Sequence, residues 1–197
     1  MRKLRIAVFV SGNGTNLQSI IDAIETGKLD AEIRLVLSNN SHAYGLTRAN
    51  KRGIPTAIVN SGDFKKRDEF VDRMLDELKN HCVDFIVLAG YLRKIPPEII
   101  DRYGGRIINI HPGPLPDFGG KGMFGVAVHK AVLKGGLKET CVTIHHVTKG
   151  YDEGAIIATS PVEIMEGDTP EILQKRVLEV EHKFYPEIIQ RFANGEI

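Results

Sequence analysis

Tryptophan is absent from this sequence, and cysteine occurs only as Cys82 and Cys141. Two distant cysteines make neither a disulfide framework nor a paired set of metal ligands, so no metal site is expected. A reduced, cytoplasmic setting is expected. Long apolar runs are also missing, and none approaches the ~20 residues that cross a bilayer. The early run Ile6-Ala7-Val8-Phe9-Val10 follows the basic Arg2 and Lys3 but lacks the small-residue cleavage pattern of a signal peptide. It reads as a first strand. No charge of one sign dominates, because 26 Lys and Arg against 25 Asp and Glu leave a formal net charge of +1. That balance excludes the broad basic surface of a nucleic-acid binder, so an anionic ligand must be gripped by a local site. With no repeat, low-complexity tract or linker, residues 1–197 suit a single domain.

What the sequence has in quantity is short apolar strands alternating with amphipathic helices. Leu4–Val10 reads as a buried strand, and Leu17, Ile20, Ile21 and Ile24 mark one face of a helix ending near Gly27. The strand pattern returns at Ile33–Leu37, Thr56–Val59, Phe85–Ala89 and Arg106–Ile110. Between these strands come helices around Ala43–Lys51, across Phe70, Met74, Leu75 and Leu78, and over Pro96–Arg102. Such alternation implies right-handed β-α-β crossovers. The expected class is α/β, a single-domain Rossmann-like open, mostly parallel sheet with helices on both faces. The second half changes character: Gly113–Gly125 is loop-like, Val126–Lys134 is helical, Cys141–Val147 is a strand, and Ile156–Thr159 is a further, antiparallel strand. A long last helix opens at Asp168-Thr169-Pro170, where a capping residue and an N1 proline coincide. Pro186 is expected to kink or interrupt it.

Ser11-Gly12-Asn13-Gly14-Thr15-Asn16 joins the first strand to the first helix. Glycines let a backbone turn tightly and approach a ligand, and the helix start offers unpaired N–H groups to an anion. Thr15 and Asn16 add side-chain donors. A dinucleotide fingerprint fails, because its third glycine falls on Leu17 and the second strand ends in Ser38-Asn39-Asn40, with no acidic partner for a ribose. No G-K-[ST] follows. A single phosphate is the better ligand, with a ligand-free turn as the alternative.

Asn109-Ile110-His111-Pro112 closes the fifth strand. Alternation puts Asn109 and His111 on the same side, at the carboxyl end, where open parallel sheets bind their ligands. A carboxamide donor and an imidazole can together stabilise a developing oxyanion, and the histidine can also release a proton. Such a histidine needs a carboxylate to keep it charged and aimed. Asp152, in Lys149-Gly150-Tyr151-Asp152-Glu153-Gly154, is the best candidate and is expected to raise the histidine pKa. Taken singly, a strand-end histidine and a loop aspartate are more often structural, and spacing does not diagnose their pairing. Only one of His145 and His146 can face the crevice, and no cluster at ligand spacing makes either a metal site.

Four segments in order, Ser-Gly-Asn-Gly-Thr-Asn-Leu-Gln (11–18), Val-Leu-Ala-Gly-Tyr-Leu-Arg (87–93), Asn-Ile-His-Pro (109–112) and Tyr-Asp-Glu-Gly (151–154), resemble the phosphoribosylglycinamide formyltransferase family. The resemblance runs from about Ile6 to Gly195. It implies transfer of a formyl group from 10-formyltetrahydrofolate to the amine of glycinamide ribonucleotide, in purine synthesis and without a metal. It makes Asn109, His111 and Asp152 the catalytic constellation. It also assigns Gly14, Thr15, Asn16 and Glu181 to the ribonucleotide, and Arg67, Leu92, Arg93, Lys94 and Ile95, with Asn109, to the folate. Two departures stand out. His111-Pro112-Gly113-Pro114-Leu115-Pro116 replaces the family's usual His-Pro-Ser-Leu-Leu-Pro, and the loop Gly119–Gly125 is longer. That loop is either a lid carrying Lys121 near the phosphate or a plain surface loop.

The implied mechanism is direct attack of the amine on the formyl carbon. Asn109 and a protonated His111 would hold the tetrahedral oxyanion, and His111 would supply the proton that lets the folate nitrogen leave. The implied partners are the two small molecules, with no nucleic acid and no membrane, in a monomer or homodimer. Competing readings are a methionyl-tRNA formyltransferase or a formyltetrahydrofolate deformylase, whose additional domains 197 residues leave little room for. A non-catalytic nucleotide-binding module is the non-enzymatic alternative.

Overall fold

A computed structural model of the chain describes residues 2–197. The first strand, β1 (Leu4–Val10), divides its side chains between two cores: Ile6, Val8 and Val10 face one side, Ala7 and Phe9 the other. Both sides are apolar because both are covered, as expected of a parallel strand inside a sheet. Four more parallel strands flank it: β2 (Ala31–Ser38), β3 (Thr56–Ile58), β4 (Phe85–Leu88) and β5 (Ile107–His111). Two antiparallel strands, β6 (Glu139–His146) and β7 (Ile156–Glu163), complete one sheet of order β3-β2-β1-β4-β5-β6-β7.

The helices divide as the alternation implies. On one face lie α1 (Thr15–Glu25), α2 (Tyr44–Asn50), α5 (Val126–Lys134) and α6 (Pro170–Ala193), supplying Leu17, Leu46, Val128 and Leu173 to the core. On the other face lie α3 (Arg67–Asn80) and α4 (Pro97–Arg102), with Met74, Leu78 and Ile99. Neighbouring strands leave β1 in opposite directions, β2 on one side and β4 on the other. That reversal opens a crevice at the carboxyl ends of β1 and β4. The backbone spans it where Ser11 N–H donates to Gly90 O at 3.0 Å.

Two expectations change. Pro186 does not interrupt the last helix, which continues to Ala193. Its missing N–H removes one helical bond, but Ile188 and Ile189 beyond it are buried in the core and hold the final turns in place. The strands β6 and β7 also extend further than their apolar runs, because a ladder pairs Glu139 with Glu163 and Thr140 with Val162. Pairing partners, not hydrophobicity, set those ends. The helix start at Thr169 is as expected, its side chain accepting from Ile172 N–H at 3.3 Å.

Candidate active site

Strand pairing decides which polar groups meet. In the antiparallel β5–β6 ladder Asn109 lies opposite His145, and His111 opposite Thr143, so all four point to one face. His145 is therefore the member of the His145-His146 pair that joins the site, a choice the sequence pattern left open. Asn109 Nδ2 lies 3.1 Å from His145 Nε2. His145 Nδ1 faces the His146 carbonyl at 2.9 Å. A carbonyl only accepts, so Nδ1 carries the hydrogen, and in the neutral ring Nε2 accepts from Asn109. The second amide hydrogen of Asn109 is left for the cavity.

His111 follows the same logic. Its Nε2 faces the Phe118 carbonyl at 2.8 Å and must carry the hydrogen, leaving Nδ1 as the nitrogen for chemistry. Asp152 comes back over β5 on the loop between β6 and β7, in the left-handed region at φ 55°. Its Oδ2 lies 3.8 Å from His111 Nδ1, and its Oδ1 3.5 Å from His145 Nε2. Gly120 N–H donates to Oδ2 at 2.9 Å. Burial would raise the Asp152 carboxyl, but the histidines and the Gly120 N–H outweigh it and keep the group ionised below the usual range.

The expected raised pKa of His111 is corrected. Burial is the larger influence and lowers it, while Asp152 and the Phe118 carbonyl pull upward without overcoming burial. The ring is only 3% exposed. A nearby charge favours the imidazolium, but removing the ring from water disfavours it more. His111 thus rests neutral, with Asp152 ready to accept an ion pair once Nδ1 gains a proton.

These groups line a cavity of about 520 Å³, with Asn16 and Glu181 on another wall. Glu181 is buried at 6% exposure on α6 and accepts from Asn16 Nδ2 at 2.6 Å. Burial pushes its carboxyl up to about 7, against the opposing Asn16 hydrogen bond. Asn16 Oδ1 has no partner. The sequence cast Asn16 as a phosphate donor; in this structure one of its two amide hydrogens goes to Glu181. Leu92, Arg93, Lys94 and Ile95 line the cavity as expected, with Lys94 Nζ 5.3 Å from the Tyr151 ring centroid.

Gly14 and Thr15 sit beside the cavity, not in its wall. Gly14 has φ 69°, and a Cβ there would meet Gly45 Cα at 2.7 Å, so it locks the turn against the start of α2. Thr15 opens α1 and borders a separate groove with Arg48 and His182. Arg67 is not brought to the cavity at all. It forms a two-pronged pair with Glu98, both contacts at 2.7 Å, at the exposed start of α3. Sequence reading also passed over His129 on α5. It is 1% exposed, lines the cavity, and burial lowers its pKa to about 4. Its place in an ordinary amphipathic helix gave no signal. Among the described residues no three His, Cys, Asp or Glu are arranged to hold a metal ion.

The family model described as formyl transferase matches residues 4–189. The chain belongs to the formyl transferase family. This formyl transferase is 41% identical to the chloroplastic phosphoribosylglycinamide formyltransferase of Arabidopsis thaliana, over 100% of this chain and 68% of that protein. It is 36% identical to the phosphoribosylglycinamide formyltransferase of Escherichia coli, over 98% of this chain and 89% of the other. Among solved structures, the phosphoribosylglycinamide formyltransferase of Coxiella burnetii superposes with a TM-score of 0.90 at 42% identity, covering 98% and 88% of the two chains. The sheet order and the placement of helices described above are therefore those of a formyl transferase.

Proposed function

We propose that this formyl transferase carries a formyl group from 10-formyltetrahydrofolate to the amine of glycinamide ribonucleotide. The observation that carries the reading is the convergence of Asn109, His111, His145 and Asp152 at one end of a cavity whose other wall is Asn16 and Glu181. The folate fits the segment after β4, where Leu92 to Ile95 and Tyr151 offer apolar and aromatic surface with Arg93 and Lys94 beside it. When bound it supplies the activated formyl group. Every other requirement falls on side chains of this chain.

Asn109 directs its free amide hydrogen at the oxygen on which negative charge develops as the amine adds to the formyl carbon. His111, paired with Asp152, takes up at Nδ1 the proton that the attacking amine loses and gives it to the departing folate nitrogen. His145 holds the Asn109 amide in the required orientation. The cavity wall at Glu181 and the nearby start of α1 receive the ribonucleotide. Nothing covalent forms with the enzyme, in keeping with a reaction centre of hydrogen-bonding groups and the Asp152 carboxylate. The two cysteines are unpaired. No described helix is long and apolar enough to cross a membrane, and a cytoplasmic monomer or homodimer is part of the proposal.

The direct test is a spectrophotometric assay with 10-formyl-folate and glycinamide ribonucleotide. Turnover that needs both compounds is expected. Folate deformylation that proceeds equally without the amine would assign the chain to hydrolysis instead.

A further inference from the structure

One buried imidazole of the cavity wall has no part in the chemistry at His111. His129 is 1% exposed and is the side chain that α5 contributes to that wall. The turn after β5 packs directly on the start of this helix. A Cβ at Gly113 would stand 2.6 Å from Val128 Cγ1 and 3.6 Å from His111 Nε2, so glycine is needed for α5 to come this close to the catalytic strand. The buried Thr143 hydroxyl donates to the Gly113 carbonyl at 2.8 Å and fixes that turn. Val128 and Val132 of α5 share a core with Leu173 and Val177 of α6. The helix thus bridges the turn beyond His111 and the helix that carries Glu181.

The two ring nitrogens of His129 are not equivalent. Nδ1 is sealed from solvent and has no hydrogen-bond partner among the described residues. An orphaned buried N–H is a costly defect, so the hydrogen belongs on Nε2, the only ring nitrogen able to meet a ligand in the cavity. Burial lowers the pKa to about 4, and His111 opposes a second positive charge, so the ring stays neutral. A neutral donor suits a neutral acceptor, whereas a phosphate or carboxylate would call for the cation. In a glycinamide a single methylene separates the carbonyl from the reacting amine. An amine held at the reaction centre therefore places its own carbonyl next to it, on the side open to α5.

We propose that His129 is a specificity-determining residue that donates from Nε2 to the carbonyl of the glycinamide. This deepens the proposed function and rests on it. The hydrogen bond ties the acceptor down one carbon away from its nucleophile, so that the amine meets the formyl carbon in one orientation. It also sets selectivity, because a buried donor left unpaired penalises any acceptor without that carbonyl.

The experiment compares the ribonucleotide with its thioamide analogue, whose sulfur is a poor hydrogen-bond acceptor, in the wild type, His129→Phe and His129→Gln. The wild type is expected to prefer the amide by about tenfold or more in kcat/KM, and His129→Phe to keep less than about a twofold preference. His129→Gln, whose Nε2 can take the place of the imidazole Nε2, is expected to restore most of it. A merely structural histidine would slow both compounds alike and leave the ratio unchanged, and that result overturns the proposal. A nitrogen NMR spectrum of the wild type with labelled histidine, which needs no variant to fold, is expected to show His129 as the Nε2–H form. The Nδ1–H form would overturn the proposal equally. A wild type that formylates neither compound would remove the underlying reading and this one with it, whereas normal formylation with an unchanged ratio removes this one alone.

Discussion

His111 and His145 are each held at one ring nitrogen by a backbone carbonyl, and that single fact fixes which nitrogen of each faces the site. The reaction centre lies between His111 Nδ1, the Asn109 amide and the Asp152 carboxylate. Asn109→Ala is expected to lower kcat by about 10²–10³, the scale of one oxyanion donor, with little change in thermal stability. Near-normal turnover would remove Asn109 from that role. Asp152 pulls the His111 pKa up against burial, so Asp152→Asn is expected to lower it further. A histidine NMR titration of the two proteins checks this, and an unchanged midpoint would separate the two residues functionally. The strand-end position of Asn109 and His111 was legible from alternation alone. Their partnership with Asp152 was legible only through resemblance, because it depends on a loop turning back over the sheet. The resting charge of His111 was not legible, since burial is a property of the packed molecule and no neighbouring residue encodes it.

On the scale of an element, α6 combines anchoring with binding. Tyr185 Oη shares its one hydrogen between the carbonyls of Leu88 at 2.9 Å and Ile108 at 3.3 Å, fixing the helix across β4 and β5. One turn earlier, Glu181 is buried with a pKa of about 7, against an ordinary 4.5. Between those values the folded protein holds a proton that the unfolded chain has lost, so stability falls as pH rises through that interval. Glu181→Gln is expected to unfold at a higher temperature than the wild type above pH 7 and to raise KM for the ribonucleotide. Calorimetry and kinetics on one preparation check both halves. The start of α6 was legible because a cap and a proline are local signals. Its passage through Pro186 was not, because the isoleucines that hold the last turns draw their stability from the rest of the core.

On the scale of the whole molecule, the sheet was legible in its first five strands because each is an apolar run between turns. The ends of β6 and β7 were hidden in a pairing ladder that no single segment contains. Buried titratable groups also couple the fold to pH. His129 has an ordinary pKa of 6.5 and a folded value of about 4. Below 6.5 the unfolded chain takes up a proton that the folded one refuses, so stability falls as pH drops towards 4. At 1.36 kcal/mol per pH unit that interval amounts to about 3 kcal/mol. Melting temperatures are expected to decline over this range, and His129→Phe to flatten part of the decline; parallel curves would assign the acid sensitivity elsewhere.

The Tyr185 hydroxyl, seated between the carbonyls of Leu88 and Ile108, bears on substrate choice as well. Because it ties α6 to β4 and to β5, which carries Asn109 and His111, the span from Glu181 to the reaction centre is a fixed gauge with little play. An acceptor lengthened by one methylene between sugar and amine would still be gripped but would bring its nitrogen past the formyl carbon. Such a homologue is expected to lose far more in kcat than in KM, and equal loss in both would mean the gauge can stretch.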